Sequence, residues 1–358
     1  MRVLVVTNLY PTSRSPFSGT FVEQQVQGLR RIGIEIDVLF VNRVEKGMKV
    51  YWELPRAVQS KLVSFNPDIV HVMYGGLMAE VVSYLVSQQP MIVSFCGTDL
   101  LGGSFFSFLR WVTVRLGVLA SQLATKRVNG IIVKSENLVH ALPKTIDLKK
   151  VWIIPNGIDL DRFYPLNKAE SRRQLGWSER AYHIVVPGHP GHIRKRHDLA
   201  QSAVERLRND GMEIELHLLF EVSHSEVPLW LNASNVLLLT SIHEGSPNIV
   251  KEALACNSPV VSTDVGDVRE RIQGIQGCYL TLPDSQDIAE KLRLAIRGFS
   301  RVQGRIKMQD LSLENVARKL NDVYRTVLDR QHTHCHVPEE ARPLFDKSLG
   351  STDKVRGS

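Results

Sequence analysis

Glu244 and Glu252 stand at the two ends of an E-x7-E spacing inside Ser241–Val268, SIHEGSPNIVKEALACNSPVVSTDVGDV. An apolar run, Asn235–Thr240, ends just before Glu244. Ser246 then suits the N-cap of a helix, and Pro247 suits its first position, where a missing N–H costs nothing. Asn248 and Ile249 would follow with main-chain N–H groups at the positive end of the helix dipole, an anchor for an anion or a hydroxyl. Asn248 and Glu252 are four residues apart, so they share a helix face. Two carboxylates are therefore expected in one cleft, one before the helix and one within it. Carboxylates accept hydrogen bonds from vicinal hydroxyls, as in a ribose or a hexose. A capped helix with two solvated acids is the plainer alternative.

A second group lies in Pro187–His197, PGHPGHIRKRH, which follows an apolar run and gathers Arg194, Lys195 and Arg196 in a loop with Gly188 and Gly191. Such a loop can bring cationic donors to a diphosphate; a solvated basic turn is the alternative. It is neither a Walker A loop nor a G-x-G-x-x-G fingerprint, which weakens an ATPase or NAD reading. Nearer the N-terminus, Asn8–Gln25 is a long loop with Gly19 just before a helix, a place for close backbone approach to a ligand. Met91–Gly102, MIVSFCGTDLLG, would put Asp99 at a strand end in the cleft, as a reacting group or as a turn-holding aspartate. Cys96 has no histidine placed beside it to make it a nucleophile.

These groups need a scaffold, and the apolar pattern supplies one. Strand-length Val/Ile/Leu runs alternate with helix-length stretches: Arg2–Thr7, Glu35–Val41, Asp68–Met73, Met91–Phe95 and Gly130–Val133, then His183–Val186, Glu213–Phe220, Asn235–Thr240, Pro259–Thr263 and Cys278–Leu282. Near-continuous apolar strands are covered on both faces, so the rhythm predicts two doubly wound parallel α/β domains in tandem, with ligands beyond the carboxyl ends of the strands. The boundaries read as 1–165 for the first domain and 166–310 for the second. VWIIPNGIDLDRFYP (151–165) forms the join, and 311–330 a closing helix, periodic over Leu313–Leu328. Residues 331–358 read as a solvated tail, its His332-Thr333-His334-Cys335-His336 cluster incidental. Phe105–Arg127 is apolar but punctuated by Arg110, Arg115, Lys126 and Arg127. It reads either as a buried interdomain helix or as one lying on an anionic membrane with Phe105, Phe106 and Trp111 inserted.

The chain has 358 residues, 43% of them hydrophobic and 23% charged, which fits two globular domains and excludes wholesale disorder. No apolar run reaches spanning length. The N-terminus lacks a signal-peptide pattern, so a cytoplasmic location is expected. Four scattered cysteines give neither a disulfide framework nor zinc spacing, and no metal site or cofactor is expected. The net charge of +7 is lopsided: residues 1–165 carry 18 Lys+Arg against 12 Asp+Glu. No dense basic stripe marks a nucleic-acid binder.

The combination EGSPN…KEALAC…PVVSTDVGDVRE, with Pro155–Asp159 (PNGID) and Phe163 ahead of it, resembles the retaining family 4 glycosyltransferases of GT-B fold over roughly residues 1–328. The resemblance implies that Glu244 holds the donor-sugar hydroxyls, helped by N–H groups around Asn248 and Ile249. It implies that Glu252 holds the ribose, that Lys195 with Arg194 holds the diphosphate, and that Gly19 belongs to a glycine loop facing the phosphates. It also implies metal-free transfer with retained configuration. This chain departs from the family pattern at His189, where an arginine is common, and at Cys96, where a histidine is common. It also has one glycine rather than two near Gly19, and Pro247 removes an N–H. Asp159-Leu160-Asp161 resembles a metal-binding D-x-D, but its place in the linker makes that a coincidence.

The function expected is transfer of a sugar from a nucleotide-sugar donor to a glycan or lipid-linked acceptor in cell-surface polysaccharide or glycoconjugate synthesis, possible at an anionic membrane surface and without nucleic acid. A non-catalytic nucleotide-sugar-binding subunit and a sugar-nucleotide epimerase are the alternatives.

Overall fold

A computed structural model describes residues 1–103 and 108–335. Its first sheet has six parallel strands: β1 (Arg2–Thr7), β2 (Glu35–Phe40), β3 (Ile69–Met73), β4 (Met91–Phe95), β5 (Gly130–Val133) and β6 (Val151–Ile153), in the order β2-β1-β3-β4-β5-β6. The second has five: β7 (Tyr182–Pro187), β8 (Ile214–Leu219), β9 (Val236–Leu239), β10 (Val260–Thr263) and β11 (Tyr279–Thr281), in the order β11-β10-β9-β7-β8. The apolar runs become central strands because helices cover both of their faces: β3, β4, β5, β9 and β10 are buried along their whole length.

The chain passes between the sheets at Pro155-Asn156-Gly157. Gly157 leaves little room for a side chain, since a Cβ there would lie 3.1 Å from the Cα and side chain of Leu313, which would have to give way. Ile158 exchanges main-chain hydrogen bonds with Leu311 and Leu313, which aims the closing helix back at the first domain. That helix spans Leu313–Cys335, so residues expected to begin a solvated tail extend it instead. Its apolar positions Val316, Leu320, Val323 and Val327 are buried, and Leu313 and Ala317 press against Gly28 of the Thr20–Arg31 helix. Tyr324 anchors it: its hydroxyl meets His71 Nδ1 of β3 at 2.6 Å, and His71 Nε2 meets Ser94 Oγ of β4 at 2.7 Å.

The Phe108–Ala124 helix is not the fully buried interdomain element of one expectation. Ser121 and Ala124 are buried, but Trp111, Leu116 and Leu119 are exposed. Phe105, Phe106 and the side chain of Arg110 lie outside the described residues, as do the side chains of His332–His336.

Candidate functional site

Two hollows open at the carboxyl ends of the strands. One, of about 330 Å³, is lined by Pro187, Leu219, Phe220, His224, Asn248, Ile249 and Glu252 from the second half and by Phe17 and Thr20 from the first. The other, of about 320 Å³, takes Tyr74, Thr98 and Gly102 from the first half and His192 and Arg194 from the second. The Pro187–His197 loop borders both. A roomier surface hollow, about 470 Å³, lies on the outer side of the helices His197–Asn209 and Ser285–Gly298, where Arg293 is paired with Asp210.

The basic loop and the Glu244 turn form one unit. Arg194 Nη1 lies 2.5 Å from Glu244 Oε2, and Lys195 Nζ 2.7 Å from Oε1. Ser241 Oγ donates to the same Oε1 at 2.8 Å. Thr240 Oγ1 donates to the carbonyls of Lys195 and Arg196, and Ile242 N to that of Arg194, which laces the loop to the segment after β9. Burial alone would raise the Glu244 pKa; the charges of Lys195 and then Arg194 overcome it and bring the pKa down to about 2. Glu244 is thus a carboxylate at any physiological pH. Arg194 Nε is buried beside it with no partner among the described residues.

At the other hollow, Glu252 is oriented by a residue the sequence reading missed. Arg162 Nη1 donates to His224 Nδ1 at 3.0 Å, and a guanidinium only donates, so the His224 proton sits on Nε2. That nitrogen points at Glu252 Oε1, 3.1 Å away. Phe163, fully buried, packs against the His224 ring at 5.4 Å. No signal in the sequence linked His224 to Glu252, because the two meet only when the loop after β8 folds over the Asn248–Ala255 helix.

The halves touch where glycine permits. A Cβ on Gly245 would fall 2.1 Å from the Cys96 carbonyl oxygen. Ser135 Oγ hydrogen-bonds the Gly245 carbonyl, and Asn137 Nδ2 donates to the Glu244 carbonyl at 3.3 Å. Asn156 of the join donates to Asn248 Oδ1 at 3.3 Å, and Lys251 Nζ reaches the Asn156 carbonyl at 3.2 Å.

Several expectations need correcting. Ser246 does not cap the helix, which starts at Asn248 with Pro247 as its cap residue and no side-chain cap bond. The Ser246 hydroxyl instead accepts from Lys251 Nζ and donates to Asp267 Oδ2, both at 3.0 Å. Asp99 is the turn-holding aspartate: it is buried, and its carboxylate accepts N–H bonds from Gly75, Cys96 and Gly97, leaving it no reach into the cleft. Burial and, secondarily, Asp99 push the Cys96 thiol up to about 12, so it stays protonated. Gly19 is required by the chain's own backbone: its φ is +71°, and a Cβ would lie 2.3 Å from the Leu9 carbonyl carbon. It still sets Phe17 and Thr20 on the rim of the cleft. Asp159 of the D-x-D tripeptide accepts from Asp161 N and Arg162 N, which holds the linker turn. One donor cluster went unread altogether: His183, Glu215 and His217 converge across β7 and β8.

Two facing parallel-sheet domains with a cleft at their strand ends and a closing helix returning to the first domain define the GT-B class. Residues 15–162 match the model described as Glycosyltransferase Family 4, and residues 177–297 the one described as Glycosyl transferases group 1, about three quarters of the chain between them. The chain belongs to the family 4 glycosyltransferases. It is 25% identical, over 82% of its length and 88% of the relative's, to a protein of Bacillus subtilis (strain 168) assigned as a teichuronic acid biosynthesis glycosyltransferase. Among solved structures, sucrose-phosphate synthase from Thermosynechococcus elongatus superposes with TM-score 0.73 at 15% identity, over 92% of this chain and all (100%) of that one. Anabaena Alr3699/HepE in complex with UDP-glucose does so with TM-score 0.60 at 15% identity, over 93% and 100%.

Proposed function

We propose that this protein is a retaining glycosyltransferase that moves a hexose from a nucleoside diphosphate sugar to a glycan or lipid-linked acceptor of the cell surface. The observation that carries the reading is the Glu244 carboxylate held between Arg194 and Lys195 beside a cleft whose other end presents Glu252 on an oriented histidine. Cations two residues deep in one rigid loop fit a diphosphate, and Arg194 Nε, with no partner among the described residues, is a further donor for it. Asn248 and Ile249 open a helix whose first N–H groups have no intrahelical acceptor, a second anchor for phosphate or a sugar hydroxyl. Glu252 takes the ribose hydroxyls in the 330 Å³ hollow, with Phe220 and Val222 beside the base. Glu244 takes donor-sugar hydroxyls.

In this reading the bond from the anomeric carbon to the β-phosphate oxygen breaks and a bond to the acceptor oxygen forms on the same face. The acceptor proton passes to the departing phosphate oxygen. Lys195 and Arg194 stabilise the charge that develops there, which is the work a metal ion would otherwise do. Asp99 has no part in the step. The acceptor enters through the hollow lined by Tyr74, Thr98 and Gly102. The exposed Trp111, Leu116 and Leu119, with Arg115 over the Trp111 ring at 5.5 Å, fit a lipid-linked acceptor approached at an anionic membrane.

Calorimetric titration with UDP, GDP and ADP, repeated on Glu252→Ala, tests the site. Binding of one nucleotide, lost in the variant, supports it and names the donor class. Binding without transfer to any acceptor would favour the non-catalytic subunit, and release of an isomerised donor the epimerase. No binding by the folded protein would refute the assignment.

A further inference from the structure

His183 is the second residue of β7, and Glu215 and His217 are the second and fourth residues of β8. In the parallel register His183 pairs with Glu215 and Val185 with His217, so all three side chains stand on one face of the sheet. β8 is an edge strand. His183 Nδ1 lies 2.8 Å from His217 Nε2 and 3.5 Å from Glu215 Oε2; His217 Nε2 lies 3.6 Å from the same oxygen. Both imidazoles are neutral at pH 7, since burial lowers each pKa, that of His217 to about 4. The contacts with Glu215 are therefore not ion pairs: His183 Nδ1 presents a lone pair, and His217 Nε2 carries the N–H that it donates to His183 Nδ1.

The surroundings fix the arrangement. His183 Nε2 lies 2.7 Å from the Ser178 carbonyl, which can only accept, so the proton is there and Nδ1 presents its lone pair to the cluster. A carbonyl holding the far nitrogen of a ligating histidine is the usual support of a metal site. Trp177 stacks on the His217 ring at 3.7 Å and 7°, and Trp230 stands edge-on to Trp177 at 5.4 Å. His183 is fully buried, while the Glu215 side chain is 43% exposed and leaves a way in.

We propose that His183 Nδ1, Glu215 Oε2 and His217 Nε2 bind a zinc ion. A tetrahedral zinc with bonds of about 2.0–2.2 Å sets its ligand atoms roughly 3.3–3.6 Å apart. The two distances to Glu215 already match, and the His–His contact needs to open by roughly 0.5 Å. Two imidazoles with one carboxylate suit zinc over magnesium or calcium, which take oxygen ligands. On binding, His217 Nε2 gives up its proton to solvent and Nδ1 takes one. Solvent fills the fourth position beside Glu215. None of the three residues lines the hollows at the strand ends, so the ion would pin edge strand β8 to β7 and leave sugar transfer to the other site.

The test uses the full chain carrying His332→Ala, His334→Ala and His336→Ala, which removes the tail histidines as competing ligands. After chelator treatment it is titrated with zinc chloride by calorimetry. One equivalent should bind and raise the melting midpoint, reversibly with chelator. Glu215→Gln and His217→Ala should each weaken binding by at least about tenfold. Cobalt(II) should give the visible bands of a tetrahedral site in the parent and lose them in both variants. Glu215→Gln, at a half-exposed position, keeps the test open if His217→Ala fails to fold. Zinc binding absent from the parent, or equally tight in Glu215→Gln, overturns the proposal.

Discussion

At the residue scale the site is a set of charges that hold one another in place before any ligand arrives. Glu244 neutralises two cations in a nearly closed loop, so Glu244→Gln should act twice. It removes an acceptor for sugar hydroxyls, and it leaves Arg194 and Lys195 without their counter-charge, at a cost of about 1–3 kcal/mol. Lys195→Ala should lower kcat/KM for transfer by about 10²–10³ with a smaller loss of stability, because the charge on the departing phosphate is met only late in the reaction. Steady-state rates and urea midpoints on both variants separate the two effects; wild-type rates in either variant would remove that residue from the reaction. His224→Ala should behave differently. It touches Glu252 rather than the reacting atoms, so it should raise KM for the donor about tenfold while leaving kcat nearly intact. A fall in kcat alone would contradict the positioning role.

At the element scale the decisive fact is that loops from opposite sheets meet backbone to backbone. Gly245→Ala puts a Cβ 2.1 Å from the Cys96 carbonyl, and neither partner is a flexible side chain end. The halves should be prised apart, with a cost of about 1–3 kcal/mol and transfer largely lost. Gly176→Ala is the control: its φ is +68° with nothing within 4 Å, so only the backbone cost, about 1 kcal/mol, should appear. Equal urea midpoints and activity in the two variants would show that the interdomain contact is incidental. The same contrast explains what could be read in the chain beforehand. Strands such as Met91–Phe95 were legible because a strand covered on both faces must be apolar throughout. The meeting of Arg194 and Lys195 with Glu244 was legible only as two loops at strand ends of one domain. For Asp99 the sequence left two readings open, since a carboxylate after a strand looks the same whether it faces substrate or collects N–H groups, as it does here. His224 and the His183–Glu215–His217 group were invisible because strand pairing and loop return, not spacing along the chain, bring them together.

At the scale of the whole molecule, the two halves and the closing helix share a dependence on uncharged or paired buried groups, and this sets how the protein meets acid. His71 joins β3 and β4 to Tyr324 of the closing helix, and burial, then the nearby Lys134 charge, lowers its pKa to about 3. Burial brings His217, in the other domain, down to about 4. An unfolded histidine takes its proton near pH 6.5, well before either folded ring does. The unfolded chain therefore binds more protons as pH falls below 6.5, and the stability these rings contribute is lost between there and their folded values. Glu244, held at about 2, adds the carboxylate version of the same effect: its contribution is present above about 4.5 and is lost below that, toward pH 2. Unfolding free energy should thus drop between pH 6.5 and 4.5; His71 and His217 together contribute a slope approaching two protons, about 2.7 kcal/mol per pH unit, and His183, His192 and His243, also lowered by burial, steepen it further. Urea titrations at half-unit steps in a chelating buffer, so that no metal occupies the imidazoles, measure that slope. In His71→Asn the whole curve should lie lower, because Tyr324 and Ser94 lose their partner, but its slope near pH 5 should shrink by about one proton. The slope carries the argument, since a merely structural loss displaces the curve without flattening it. Parallel curves for the two proteins would mean that the buried ring is not the acid-sensitive joint between the closing helix and the first domain.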